Sequence, residues 1–245
     1  MTQLNRPYRA RRRHWNVEEL KALIPGSAGD LGERVESVDR ARLWTDLVAE
    51  YDARFLQREL MRRASGRYSH EFLAFIEAWA LDEEKHADGL CHVYCAVCGE
   101  DEGSVQSRLK ARQPDFASFS SILDDEFRLA VLFAYDEAMS TRGYGEDIPF
   151  YASLGPPAIE ALLRHLRADE AIHYANAVDL LAYRHRHRAE DVRAAMDEIV
   201  ELDAHQDAYQ GTFVLDHATD QFSRTTMLTV GDKVAAVIER RLTAR

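Results

Sequence analysis

Prolines stand at positions 7, 25, 114, 149, 156 and 157, and none occurs between 26 and 113 or between 158 and 245. A proline inside a helix removes a backbone donor and clashes with the preceding turn. Long tracts without it, rich in Ala, Leu, Glu and Arg, therefore run as helices. Only 12 glycines occur in 245 residues, too few turn formers for a fold of many short strands. The pattern predicts an all-α chain, with helices over about 40–64, 69–98, 118–144, 156–187, 190–210 and 230–243. The connection Arg63–Tyr68 is short and contains Gly66, so the first two long helices are expected as antiparallel neighbours. Gly99–Phe116 is long enough for a crossover with a short helix of its own. Gly143–Pro157, with three glycines and three prolines, reads as the clearest break after that. Residues 1–39 read as a loosely packed extension with a turn at Pro25-Gly26 and a solvated basic arm at Arg9–Arg13. Residues 40–245 read as one helical domain.

Composition narrows the function classes. The formal net charge is −11, which disfavours nucleic acid as a partner, because phosphate neutralisation needs a basic face. Three cysteines do not make a disulfide framework. The longest apolar run, Leu129–Tyr135, is bounded by Arg128 and Asp136 and falls far short of the roughly 20 residues that span a bilayer. The basic N-terminus is followed by no apolar stretch, so a secretory signal is not expected, and a cytoplasmic location is.

The informative residues are four glutamates and two histidines. Glu83-Glu84-Lys85-His86 and Glu170-Ala171-Ile172-His173 each contain Glu-x-x-His. On a helix, positions three apart share a face, so one carboxylate and one imidazole can hold a metal ion from one side. Two such pairs on separate long helices match a known four-helix-bundle arrangement, in which the other two helices supply one inward glutamate each. The first helix offers Glu50 and Glu59, the third Glu126 and Glu137. Glu50 precedes Glu83 by 33 residues and Glu137 precedes Glu170 by the same 33, as two helical hairpins of equal span require. The expected ligands are therefore Glu50, Glu83, His86, Glu137, Glu170 and His173, with Glu59 and Glu126 as fallbacks. Carboxylates and imidazoles suit iron or manganese. Four carboxylates balance two divalent ions, whereas the same four buried without metal would have to take up protons.

Neighbouring residues extend the site. Asp169 is placed to reach the free imidazole N–H of His86, and Ser140, one turn after Glu137, to relay protons. Trp79, four residues before Glu83, reads more readily as core. Leu47 and Phe133 stand about a turn before proposed ligands and are equally readable as core or cavity lining. Cys91, Cys95 and Cys98 have the spacing of a radical iron–sulfur motif but fall on one helical stripe, which is a core pattern. His185 and His187 diverge on a helix end and suit its dipole better than a metal. His205 and His217 lack paired carboxylates.

The Trp79–His86 segment resembles the Trp-x-x-Glu-Glu-x-x-His segment of soluble acyl-carrier-protein desaturases. Ala168-Asp169-Glu170-Ala171-Ile172-His173 resembles their Ala-Asp-Glu-x-x-His segment, and Glu137-Ala138-Met139-Ser140 their Glu-x-x-Thr. Asp82 stands where that family usually has Glu, Ser140 replaces Thr, and residues beyond 190 show no likeness. The resemblance runs from about Leu43 to Tyr183. It implies a ferritin-like bundle, a non-haem di-iron site using dioxygen as co-substrate, and a ferredoxin-like electron donor. It implies desaturation or hydroxylation of an unactivated C–H bond, most simply on an acyl chain held by acyl carrier protein. A small amine, aldehyde or aromatic substrate and a ferritin-like iron-storage role are the alternatives. A homodimer is expected. An acidic carrier would need a basic patch, for which Arg62-Arg63, Arg164 with Arg167, and Arg184–Arg188 are candidates.

Overall fold

The computed structural model describes residues 7–25, 36–205, 215, 217 and 222–244. Among them the chain is helical with no strand. A short helix α1 (Val17–Lys21) precedes the long pair α2 (Ser37–Arg63) and α3 (His70–Cys98). The crossover carries α4 (Glu102–Lys110) and α5 (Ser120–Leu123). A second long pair, α6 (Glu126–Ser153) and α7 (Pro157–Arg184), is followed by α8 (Val192–Asp203) and α9 (Arg224–Thr243). Residues 206–210 of the last-but-one expected helix, and Gly26 of the expected turn, lie outside the described residues.

Local chemistry sets the helix starts. Ser69 accepts from Phe72 N–H at 3.2 Å to cap α3, and Asp125 accepts from Phe127 N–H at 2.9 Å to cap α6. The Asp125 cap divides the expected helix over 118–144 into α5 and α6. The expected break at Gly143–Pro157 is displaced as well: α6 runs through Gly143, Gly145 and Pro149 to Ser153. Its last turns are tied to α2 by side chains, and this tertiary anchoring outweighs the local cost of glycine and proline. Tyr151 donates to Asp46 at 2.6 Å, Arg42 pairs with Asp147, and Tyr144 donates to Glu50. The chain turns only at Gly155, whose φ of +136° is open to glycine, before Pro156 and the helix-starting Pro157.

The buried apolar residues form two clusters, and each long helix passes from one to the other. Along α2, Leu43, Leu47 and Tyr51 belong to one cluster, and Ala53, Leu56 and Leu60 to the other. Along α3 the order reverses, from Phe72, Phe75 and Trp79 to Ala87, Leu90 and Val93. On α6 the change falls between Met139 and Tyr144, and on α7 between Leu166 and Ala177. This ordering makes α2/α3 and α6/α7 two antiparallel hairpins, each packed along its length. Glu50, Glu83, His86, Glu137, Glu170 and His173 all fall at or beside the change of cluster, so they form a polar layer between two apolar ones.

Residues 7–16 correct the expectation of a solvated arm. Tyr8 donates to the Asn176 carbonyl at 3.2 Å, and Arg11 reaches Asp179 at 2.9 Å. Arg12 forks onto Asp82 at 3.1 and 2.8 Å, and Arg13 donates to the His165 carbonyl at 3.1 Å. Buried carboxylates on α3 and α7 need cationic partners, and the arm supplies them. No helix among the described residues is long and apolar enough to cross a membrane.

Candidate metal centre

The six expected ligands converge. Glu50, Glu83, His86 and Glu170 each offer one ligand atom, and these atoms lie within 4.8 Å of one another. Glu83, Glu137, Glu170 and His173 do the same. Glu83 and Glu170 belong to both groups, so the two groups share two carboxylates. All six side chains are buried. Each residue of the first hairpin stands 87 positions before its counterpart in the second: Glu50 and Glu137, Asp82 and Asp169, Glu83 and Glu170, His86 and His173. The site has an approximate two-fold relation.

Both imidazoles point Nδ1 into the cluster. His86 Nδ1 lies 3.2 Å from Glu50 and 3.1 Å from Glu170, and His173 Nδ1 lies 2.9 Å from Glu170 and 3.3 Å from Glu137. The outer nitrogens meet aspartates across the bundle. His86 Nε2 is 3.2 Å from Asp169, and His173 Nε2 is 3.4 Å from Asp82. An aspartate accepting from Nε2–H fixes the tautomer that leaves the Nδ1 lone pair for a metal. Asp169 also accepts from Trp15 Nε1 at 2.6 Å, and Asp82 from Lys85 Nζ at 2.7 Å.

Without cations the layer is electrostatically poor. Burial, and then the charges of Glu50 and Glu170, push the Glu83 carboxyl well above its ordinary range. Burial and Glu170 do the same to Glu137. Burial opposes the charge of Glu170 as well, but His86 and His173 hold that carboxyl below the usual range. Burial alone would lower both imidazole pKa values. Glu50 and Glu170 raise that of His86 well above normal, and Glu137 and Asp82 that of His173. Protons thus hold the positions that metal ions would neutralise. Glu83 Oε1 and Glu170 Oε1 are buried with no hydrogen bond, although each lies within 3.3 Å of an imidazole nitrogen. The nitrogens are near these oxygens but not aimed along a hydrogen bond, and orphaned carboxylate oxygens facing a common centre fit a cation. Hard oxygen donors with two imidazoles suit iron or manganese.

Ser140 sits half-buried one turn beyond Glu137, and no hydrogen bond among the described residues joins it to the cluster. Glu59 pairs with Arg62 and Arg63, and Glu126 with Ser69 and His185, so neither fallback reaches the site. Trp79 and Phe133 pack edge to face at 5.1 Å within the core. Cys91 and Cys98 are buried thiols in the apolar cluster beside the site. His217, expected to lack paired carboxylates, lies 3.1 Å from Asp203 and 3.9 Å from Asp136, neither of which is among the six expected ligands. Within the basic patches Arg62 and Arg63 pair with Glu59, Arg164 with Glu160, and Arg188 with Asp125 and Asp191, while Arg167 donates to the Thr141 carbonyl.

Three contributors escaped the sequence reading, the first of them Asp82 behind His173. Tyr144, buried one heptad past Glu137, donates to Glu50 on the other hairpin. Burial and that carboxylate push its phenol pKa well up. Its only sequence signal is the i+7 spacing from Glu137, which any core tyrosine shares. Trp15, from the N-terminal arm, carries no signal of its own. A cleft of about 180 Å³ opens onto the cluster, with Glu50 and Glu83 in its wall and Arg54, Arg58, Gln57 and Glu84 nearer solvent. No family model, curated protein or solved structure matches the chain.

Proposed function

We propose that this chain is a non-haem di-iron, dioxygen-dependent oxidoreductase built on a ferritin-like four-helix bundle, related in design to the soluble acyl-carrier-protein desaturases. The observation that carries the reading is the pair of overlapping four-residue clusters sharing Glu83 and Glu170. A single ion needs only one such set, and two sets with common carboxylates suit a binuclear centre. When bound, two irons supply reduction of dioxygen and the oxidising power to break an unactivated C–H bond.

The residues have separable tasks. Glu50 and Glu137 are the outer carboxylates, one for each position, and Glu83 and Glu170 the shared ones. His86 and His173 offer neutral nitrogen, with Asp169 and Asp82 holding their outer N–H groups. Six protein ligands for two ions leave positions open for dioxygen. The apolar clusters on either side exclude water from the layer. Ser140 is proposed as a proton relay and Asp169 as a positioning carboxylate. A ferredoxin-like donor is proposed to supply electrons.

Of the two substrate classes that the sequence leaves open, the cleft supports the small molecule over the carrier-bound acyl chain. It is compact and walled by polar and charged groups, whereas an acyl tail favours a long apolar channel. The arginines at its mouth also repel incoming ferrous ions, which counts against iron storage. The experiment is anaerobic titration with ferrous iron, followed by dioxygen. The chain should bind two irons and consume oxygen rapidly. A Glu83→Ala/Glu170→Ala variant that still binds two irons and consumes oxygen at the parent rate would end the proposal.

A further inference from the structure

The cleft over Glu50 and Glu83 has an unusual pair of cations. Arg54 and Arg58 are one helical turn apart on α2 and both line it. Most arginines among the described residues pair with a carboxylate, as Arg11, Arg12 and Arg13 of the arm and Arg164 of α7 illustrate. Among the described residues neither Arg54 nor Arg58 has a carboxylate within ion-pair distance: Asp52, which Arg112 holds, feels Arg54 only from farther off, and Glu84, exposed on the same rim, reaches neither. Each guanidinium instead stacks on the ring three residues before it. Arg54 lies 3.6 Å from the Tyr51 ring centroid and Arg58 lies 5.5 Å from that of Phe55. Arg54 Nε also donates to the Tyr51 carbonyl at 3.1 Å. Stacking and that bond hold the forks in place while leaving their Nη donors open.

Two like charges at this spacing repel and cost stability unless something lies between them. In a chain of net charge −11, unanswered arginines beside a buried acidic layer are not needed for solubility. With two divalent ions neutralising the four glutamates, the rim keeps two positive charges against the single one of Glu84. The cleft, about 180 Å³, has room for a small molecule beside the two forks.

We propose that Arg54 and Arg58 bind the carboxylate of a small anionic substrate and aim the rest of the molecule past Ala80 toward Glu50 and Glu83. The assignment rests on the binuclear reading and adds the substrate's chemical class to it. A planar carboxylate matches the guanidinium fork, and this pairing sets which end of the molecule meets the metal layer.

The test uses the full chain loaded with cobalt(II), with metal content measured on every sample, and calorimetric titration with pentanoate, pentanamide and pentylamine. Pentanoate should bind, and the neutral and cationic probes should bind at least tenfold more weakly. Arg54→Gln and Arg58→Gln should each weaken pentanoate about tenfold while leaving two metals per chain. Arg54→Lys and Arg58→Lys, which keep charge but lose the fork, should fall between. Pentanoate binding that survives both glutamine variants would mean direct ligation to metal and would overturn the assignment. Equal binding of pentanoate and pentanamide would overturn it as well. A chain that takes up two metals yet ignores pentanoate refutes the substrate class alone, and one that takes up no metal refutes the binuclear reading beneath it.

Discussion

Glu83 and Glu170 occupy equivalent places in the two hairpins, yet the structure assigns them opposite electrostatic roles in the metal-free protein. Burial and neighbouring carboxylates push Glu83 well above its ordinary pKa, whereas the two imidazoles hold Glu170 below it. Replacing each with glutamine, a neutral isostere, should therefore change the metal-free stability in opposite directions. A group whose folded pKa is raised contributes its stability below the unfolded value of about 4.5 and loses it as pH climbs through the folded value. At pH 8 the parent carries this penalty and Glu83→Gln does not. The variant should gain about 1.4 kcal/mol for each pH unit over which buried Glu83 holds a proton that the unfolded chain has lost. At pH 5 the gain should nearly vanish. Glu170 has the reverse sign. Its depressed pKa means its contribution is present above about pH 4.5 and is lost only as pH falls below that range. Glu170→Gln removes the anion paired with His86 at 3.1 Å and His173 at 2.9 Å, and breaking such a buried pair costs about 3–5 kcal/mol. Urea unfolding of chelator-treated protein at pH 5 and pH 8 measures both. Metal uptake, read by equilibrium dialysis, should fall below two ions per chain in either variant, because each removes a shared ligand. If both variants destabilise the metal-free protein equally at pH 8, the assignment of the buried proton to Glu83 is wrong.

Three further outcomes follow from the same geometry. Tyr144→Phe removes the hydrogen bond to Glu50, so the metal position built on Glu50 and His86 should weaken about 10- to 100-fold in a stepwise titration, leaving the position at Glu137 and His173 unchanged. Arg12→Gln deletes a two-point contact to buried Asp82 from a guanidinium that is itself 30% exposed, and denaturant unfolding should register a loss of about 1–2 kcal/mol. Phe133→Ala empties a fully buried site flanked by Phe75 at 5.2 Å and Trp79 at 5.1 Å, with an expected loss of about 3–5 kcal/mol in the same assay.

What the sequence exposed and what it hid divide along a physical line. The two hairpins were legible because each repeats one pattern, a glutamate 33 positions before Glu-x-x-His, and helical geometry turns that spacing into convergence without knowledge of the rest of the chain. Asp169, next to Glu170, was legible as the partner of His86, whereas Asp82 stood out only as a departure from the desaturase pattern and its place behind His173 came from the structure. The continuation of α6 through Pro149 was not legible, because it depends on side chains of α2 about a hundred residues away in sequence. The N-terminal strap and Tyr144 were hidden likewise, since each acts across a long loop and local propensity carries no trace of it. These unreadable contacts break the two-fold relation. Trp15 donates to Asp169 behind His86, whereas Asp82 behind His173 takes Arg12 instead. Tyr144 donates to Glu50, whereas 87 positions earlier stands Gln57, on the wall of the cleft. The position at Glu50 and His86 thus gains an extra phenol and opens to solvent through the arginine rim, while the cleft wall does not include Glu137 or His173. Repetition makes a layer of two overlapping carboxylate–imidazole clusters, and the contacts that depart from repetition make its two halves chemically unequal, so that the cleft reaches the layer from the side of Glu50.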